Sequence, residues 1–304
     1  MKDYSYRVDR HPETGWELVH LAYNDSETGR SSSATFTPDV GANLFQFEVD
    51  GNEYLYDLFE SPLNALSLLG TPVLYPSPNR VRDSQYSFDG HLFTFEPNDG
   101  TRFLHGLVRH QEWELLEPAV TAEGVSATAT ISFAPGTSYF SRFPIHNVLK
   151  IKYTLKSNTI RFDFTIINQD ASRRLPFGLA IHPYFRVHGP RESIRIEVPA
   201  QKWMPAVDLL PTGKLMDMAQ GPADISKPTS LSDLDLDDVF WGMQSSSPAA
   251  IYYDTLGKKV TLCADEVFTH AVIYTPQGNP YLCIENQTCS TDAHNLYARD
   301  LQEA

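Results

Sequence analysis

An all-β fold is what this chain of 304 residues predicts, and three observations carry the prediction. From Trp16 onward apolar residues mostly alternate with polar ones or gather in short β-rich runs, turn residues recur at short intervals, and no stretch keeps a long helical period. A chain of this length suits one large sandwich, so a single domain over residues 1–304 is expected, with long loops and neither an internal repeat nor a boundary.

Taken in order, strands are expected over residues 15–22 and 33–37 around a polar loop. Residues 43–49 and 53–56 flank Asp50-Gly51, a dipeptide suited to a two-residue hairpin turn. Residues 61–69 are the one helix candidate, because Ser61-Pro62 suits a helix start and Gly70 a stop. Further strands are expected at 86–88, 91–95, 113–116, 124–133, 146–156, 159–168, 194–198, 249–253, 259–263, 270–274 and 281–285. The Pro-rich, acidic stretch 199–238 reads as loops laid over the domain, anchored by Trp203, Met204, Leu209 and Leu210.

Composition narrows the function. A hydrophobic fraction of 41% against 20% charged residues supports a substantial core and excludes a disordered chain. The net charge of −14 argues against nucleic-acid binding and against a polybasic membrane surface, which leaves small molecules as the expected ligands. The first residues lack the apolar segment of a signal peptide and no run approaches a membrane span, so a cytoplasmic location is expected. Cys263, Cys283 and Cys289 show no paired spacing, which suggests reduced thiols and no structural zinc.

Four stretches carry candidate chemistry. In the run PYLCIENQTC, alternation puts Tyr281, Cys283 and Glu285 on one face of a strand. Glu285 is then either a solvated strand-end carboxylate or, if that face lines a cavity, a desolvated base with a raised pKa. In GLAIHPYF, Gly178, Ala180 and His182 share a face. The two small side chains either make room for a ligand beside the imidazole or serve close sheet packing, and Pro183 is expected to end the pairing. RFLHGLVRHQEW offers His105, Arg109, His110 and Trp113, a proton carrier, fixed donors and an apolar plate for a sugar face. In YPSPNRVR two prolines stiffen the backbone before Asn79 and Arg80, a pair suited to hydroxyl binding or to a structural ion pair. There is no HExxH, GxSxG or P-loop, which sets aside zinc-protease, serine-hydrolase and nucleotide readings.

Read together, PNRV, FLHG, IHPYF, LDDVF and CIENQT follow one another as in the aldose 1-epimerase family, which the chain resembles from about residue 40 to its end. The resemblance implies a galactose-mutarotase-like β-supersandwich that interconverts the α and β anomers of a free hexose without cofactor or metal. It implies Glu285 as base and His182 as acid, His105 as a further catalytic group, and Asn79, Arg80 and Asp237 as binders of sugar oxygens. In LDLDDVFW, Asp237 is chosen over Asp238 because the family element it resembles places the binding Asp three residues before an aromatic, here Phe240, and alternation separates the two acids; the alternative is that both solvate an acidic loop. Arg186 stands where the family commonly has Asn. HGLVR also resembles hexose-6-phosphate 1-epimerases, for which Arg82, Arg102, Arg109 and Arg186 are the phosphate candidates. A non-catalytic carbohydrate-binding protein of the same fold is the other alternative. A small-molecule sugar is the expected partner, and the oligomeric state is not readable.

Overall fold

The computed structural model describes residues 1–57 and 70–301. The helix candidate at 61–69 lies outside the described residues. Within them the chain is nearly all β, and it gathers into two compact units: Met1–Val73 with Leu107–Leu175, and Leu74–Gly106 with Pro176–Ala304.

The first unit holds a five-stranded antiparallel sheet running from Lys2–Arg10 through Glu17–Asp25, Arg30–Thr37 and Asn43–Val49 to Asn52–Glu53. Asp50 and Gly51 both take left-handed φ of 51° and 78°, as the predicted two-residue hairpin requires. A four-stranded meander follows, Glu114–Thr121, Gly124–Phe133, Asn147–Lys156 and Thr159–Asn168. Alternation in Asn147–Lys156 sends Leu149, Ile151, Tyr153 and Leu155 into the core, each fully buried. Burial of each such side chain stabilises the fold by roughly 1.5–3 kcal/mol. The strand Lys2–Arg10 was not expected from the sequence. Six of its nine residues are polar or charged and most are exposed, so backbone pairing with Glu17–Asp25 makes it a strand where no buried face does.

The second unit is organised around an eight-stranded sheet whose middle runs Lys202–Met204, Asp237–Trp241, His270–Tyr274, Tyr281–Gln287. Ala180–Ile181 and Tyr184–Arg186 both pair with Tyr281–Gln287. Cross-strand partners share a face. On one face therefore stand Cys283, Tyr184, Tyr274 and Asp237, and beside them Glu285, Val272, Val239 and Met204. Leu296, from the short helix Ala293–Tyr297, packs with Met204, Val239 and Val272 in a buried apolar cluster on this face. A four-stranded sheet of Thr229–Ser230, Ile194–Glu197, Ala249–Tyr253 and Lys258–Leu262 completes the larger elements.

Two expectations are corrected. Pro183 interrupts the pairing without ending it: Ala180 pairs with Gln287, the ladder lapses at His182 and Pro183, and Tyr184 pairs with Cys283 in the same register. Gly178 does not clear space for a ligand. A β-carbon there would lie 2.4 Å from Cys289 Sγ and 2.6 Å from Pro78 Cδ, so the glycine serves close packing. Gly178→Ala is expected to destabilise the protein by about 1–3 kcal/mol in urea unfolding, and a neutral result would show that Cys289 and Pro78 can give way.

Candidate active site

The site is assembled on the second unit, from one strand face and one two-stranded ribbon. Continuing the register across Pro183 sets His182 opposite Glu285, and the imidazole Nε2 lies 3.2 Å from Glu285 Oε1. Both side chains are buried, at 4% and 1% exposure for the two residues, so the solvated reading of Glu285 does not hold. The other carboxylate oxygen, Oε2, accepts a 3.2 Å hydrogen bond from Gln287 Nε2. The His182 ring stacks on Tyr184 at 4.6 Å, and Tyr184 meets Tyr281 edge-on. These rings set the plane of the imidazole.

The ribbon pairs Arg80–Val81 with Phe103–Leu104, which brings Asn79, Arg80 and His105 to one end. The amide of His105 donates to the carbonyl of Asn79, and both residues take positive φ, 68° and 52°. Non-glycine residues adopt this conformation at some cost, which sites tolerate when it aims a side chain. His105 is followed by Gly106, whose own positive φ brings the backbone so near Tyr75 that a β-carbon would lie 2.4 Å from the Tyr75 carbonyl oxygen. The result is that the His105 ring stands edge-on to His182 at 5.1 Å.

Arg80 is held on several sides. Its Nε donates to Asp99 Oδ2 at 2.9 Å, its Nη1 to Asn79 Oδ1 at 3.1 Å, and the same Nη1 lies 3.7 Å from Asp237 Oδ2. Asp99 also binds Arg102 at 3.0 Å, so one carboxylate orients two guanidinium groups. Asp237 shares the face of Glu285 while Asp238 turns to the other, where its Oδ1 accepts the indole N–H of Trp203 at 2.9 Å. The two neighbouring acids thus have separate surroundings.

Burial pushes the Glu285 carboxyl well above the ordinary carboxylate range, and the field of Asp237 adds to it, while the Gln287 hydrogen bond and Arg80 oppose it. Asp237 is raised as well, chiefly by burial, against the pull of Arg80. Cys283 lies between these acids on the same face, and burial followed by the Glu285 charge drives its thiol pKa up, which keeps it neutral.

All six residues singled out for the site, Asn79, Arg80, His105, His182, Asp237 and Glu285, belong to the second unit. Others singled out beside them do not. Arg109, His110 and Trp113 belong to the first unit, and Trp113 is a core residue, 2% exposed with its indole N–H on the Val108 carbonyl, rather than a plate for a sugar. Sequence reading missed Asp99, hidden in a turn-like PNDG, and Gln287. Gln287 was within reach, since it stands two residues beyond Glu285 on the same strand face.

The strand order and the matching solved structures together define a galactose-mutarotase-like β-sandwich. A galactose mutarotase-like protein from Clostridium acetobutylicum superposes with a TM-score of 0.85 at 18% identity, over 96% of this chain and 90% of that one. The profile of the family described as Aldose 1-epimerase matches residues 27–298, and the chain belongs to that family. Among curated relatives, the chromosomal LacX protein of Lactococcus lactis is 27% identical over 136 residues, 45% of this chain and 42% of that protein. A galactose mutarotase of Sus scrofa is 24% identical over 158 residues, 50% of this chain and 44% of that protein. The match thus spans less than half the length of either curated relative. Among the described residues no helix is long and apolar enough to cross a membrane.

An acid that binds its proton more tightly when folded than when unfolded makes stability fall as pH rises above its unfolded pKa, here 4.5. Glu285→Gln is therefore expected to be more stable than the wild type at pH 7, with the gap closing below pH 4.5. Urea unfolding at the two pH values checks this, and a wild type that is the more stable at pH 7 would contradict the burial argument.

Proposed function

We propose that this protein is an aldose 1-epimerase that interconverts the α and β anomers of a free hexose such as glucose or galactose. The observation that carries the reading is the 3.2 Å approach of His182 Nε2 to Glu285 Oε1 on a buried sheet face. Ring opening removes the proton from the C1 hydroxyl and delivers one to the ring oxygen, and both oxygens are bonded to the same carbon. Acid and base must therefore stand side by side, as these two do.

In the forward direction Glu285 takes the hydroxyl proton, the bond from C1 to the ring oxygen breaks, and protonated His182 supplies the proton that the ring oxygen needs. Rotation about C1–C2 turns the aldehyde, and closure runs the transfers in reverse. A carboxylate raised by burial is a stronger base, so desolvation of Glu285 lowers the barrier to the first transfer. His105, edge-on to His182, and Arg80 supply donors for oxygens on which negative charge develops. Asn79 and Asp237 hold hydroxyl groups, with Asp99 keeping the guanidinium of Arg80 in place. No cofactor is needed for these transfers.

A free sugar is favoured over a phosphosugar because two phosphate candidates are already committed. Arg82 is paired with the buried Asp292 at 3.2 Å and Arg102 with Asp99 at 3.0 Å. A protein that only bound carbohydrate would gain nothing from burying a carboxylate against an imidazole, since that arrangement opposes folding.

Polarimetry on freshly dissolved α-glucose, α-galactose and glucose 6-phosphate tests the proposal. The wild type should speed mutarotation of the free hexoses, and Glu285→Gln or His182→Asn should each lower kcat by about a hundredfold or more, with His110→Asn close to normal. Asp237→Ala should raise KM about tenfold through lost hydrogen bonds to hydroxyls. Asp238→Ala should leave KM little changed and cost about 1 kcal/mol of stability at the Trp203 contact. An unchanged mutarotation rate, or a tenfold preference in kcat/KM for the phosphosugar, would overturn the reading.

A further inference from the structure

Gln287 is fully buried, yet it is poorly suited to a core position on its own account. Its Oε1 is buried and has no hydrogen-bond partner among the described residues, while its Nε2 donates to Glu285 Oε2. A buried acceptor without a partner is destabilising, and an apolar side chain of like size would avoid the penalty. The amide is thus explained by what its N–H does rather than by its own satisfaction. Its orientation is imposed as well, because turning it over would set two acceptor oxygens against each other.

The surroundings restrict the choice further. Gln287 pairs across the sheet with Ala180 on one side and His270 on the other, and Ala180 takes up little of the space beside it. The groups facing Glu285 are His182 across the strand, Val272 on the opposite neighbour, Cys283 and Gln287 on its own strand, with Asp237 and Arg80 acting through their fields. Tyr184 stacks on the His182 ring and lies in the field of Glu285, and His105 stands edge-on to the same ring. Of these neighbours Gln287 is the one with a hydrogen bond to Oε2.

We propose that Gln287 is a positioning residue for the base: it occupies Oε2 of Glu285 and so makes Oε1, the oxygen against His182, the one that takes the sugar proton. The inference rests on the acid–base reading of Glu285. Its consequence is twofold. The carboxylate cannot rotate its basic lone pair away from the acid, and a hydrogen bond donated to the ionised form keeps the base ready at lower pH than burial alone would allow.

Gln287→Met keeps length and apolar volume and removes the donor. At saturating hexose the acidic limb of the kcat profile should move to higher pH by about one unit, since the proton is then held more tightly, with kcat at pH 7 down about tenfold and KM within about twofold. A loss of kcat that is equal at every pH would mark a merely structural role and overturn the proposal. NMR with carboxyl-labelled glutamate gives a readout that does not depend on turnover. The Glu285 signal, assigned by its loss in Glu285→Gln, should titrate at higher pH in Gln287→Met, and in the unsubstituted protein the Gln287 side-chain amide should shift with the same midpoint. An amide that ignores the titration of Glu285 overturns the inference even if the variant does not fold. Absent turnover in the wild type, with the NMR coupling intact, would overturn the proposed function and leave the hold of Gln287 on Glu285 standing.

Discussion

The antiparallel pairing of Tyr281–Gln287 with the segments on either side of Pro183 is the constraint on which the site depends. One register, running from Ala180 opposite Gln287 to Arg186 opposite Tyr281, decides that His182 faces Glu285. A slip of one residue would turn every side chain on the segment to the other face and separate the pair. The proline at the centre withholds only a donor, so the pairing resumes on its far side and keeps the imidazole and carboxylate 3.2 Å apart.

Around that pair the sheet solves an electrostatic problem. Carboxyl groups at Glu285 and Asp237 stand on one largely buried face; burial raises the proton affinity of both, and the field of Asp237 raises that of Glu285 further. Arg80 offsets this, and Asp99 holds Arg80 by its Nε so that Nη1 is turned toward Asn79 and Asp237. The neighbouring strands keep the rest of the face apolar, with Val272 and Val239 packed under Leu296. Glu285 is thus almost wholly withdrawn from solvent while His182, Gln287 and Arg80 stand around its carboxylate. The stability given up at Glu285 is offset by the many buried apolar side chains of both units.

Much of this was legible. The strands at Asn43–Val49, Gly124–Phe133, Thr159–Asn168, Ala249–Tyr253 and His270–Tyr274 begin and end where alternation and turn residues place them. Alternation also separates Asp237 from Asp238 correctly, because both faces of that strand are occupied by residues of different character. What escaped was held by pairing rather than by pattern. Lys2–Arg10 has no buried face to announce it, Asp99 lies in a turn whose composition says only that the chain reverses, and the space at Gly178 is claimed by Cys289 and Pro78 from remote stretches of sequence.

The sequence by itself determined the fold class and the family, because side-chain period and ordered motifs are local properties that survive without coordinates, and it singled out six residues that all fall in one unit. Only the tertiary structure decided what those residues are to one another. Whether Glu285 is solvated or buried, which oxygen of it Gln287 takes, and which arginines are already paired all depend on neighbours brought together in space. Desolvation and hydrogen bonding act over a few ångströms in space, and distance along the chain does not report them.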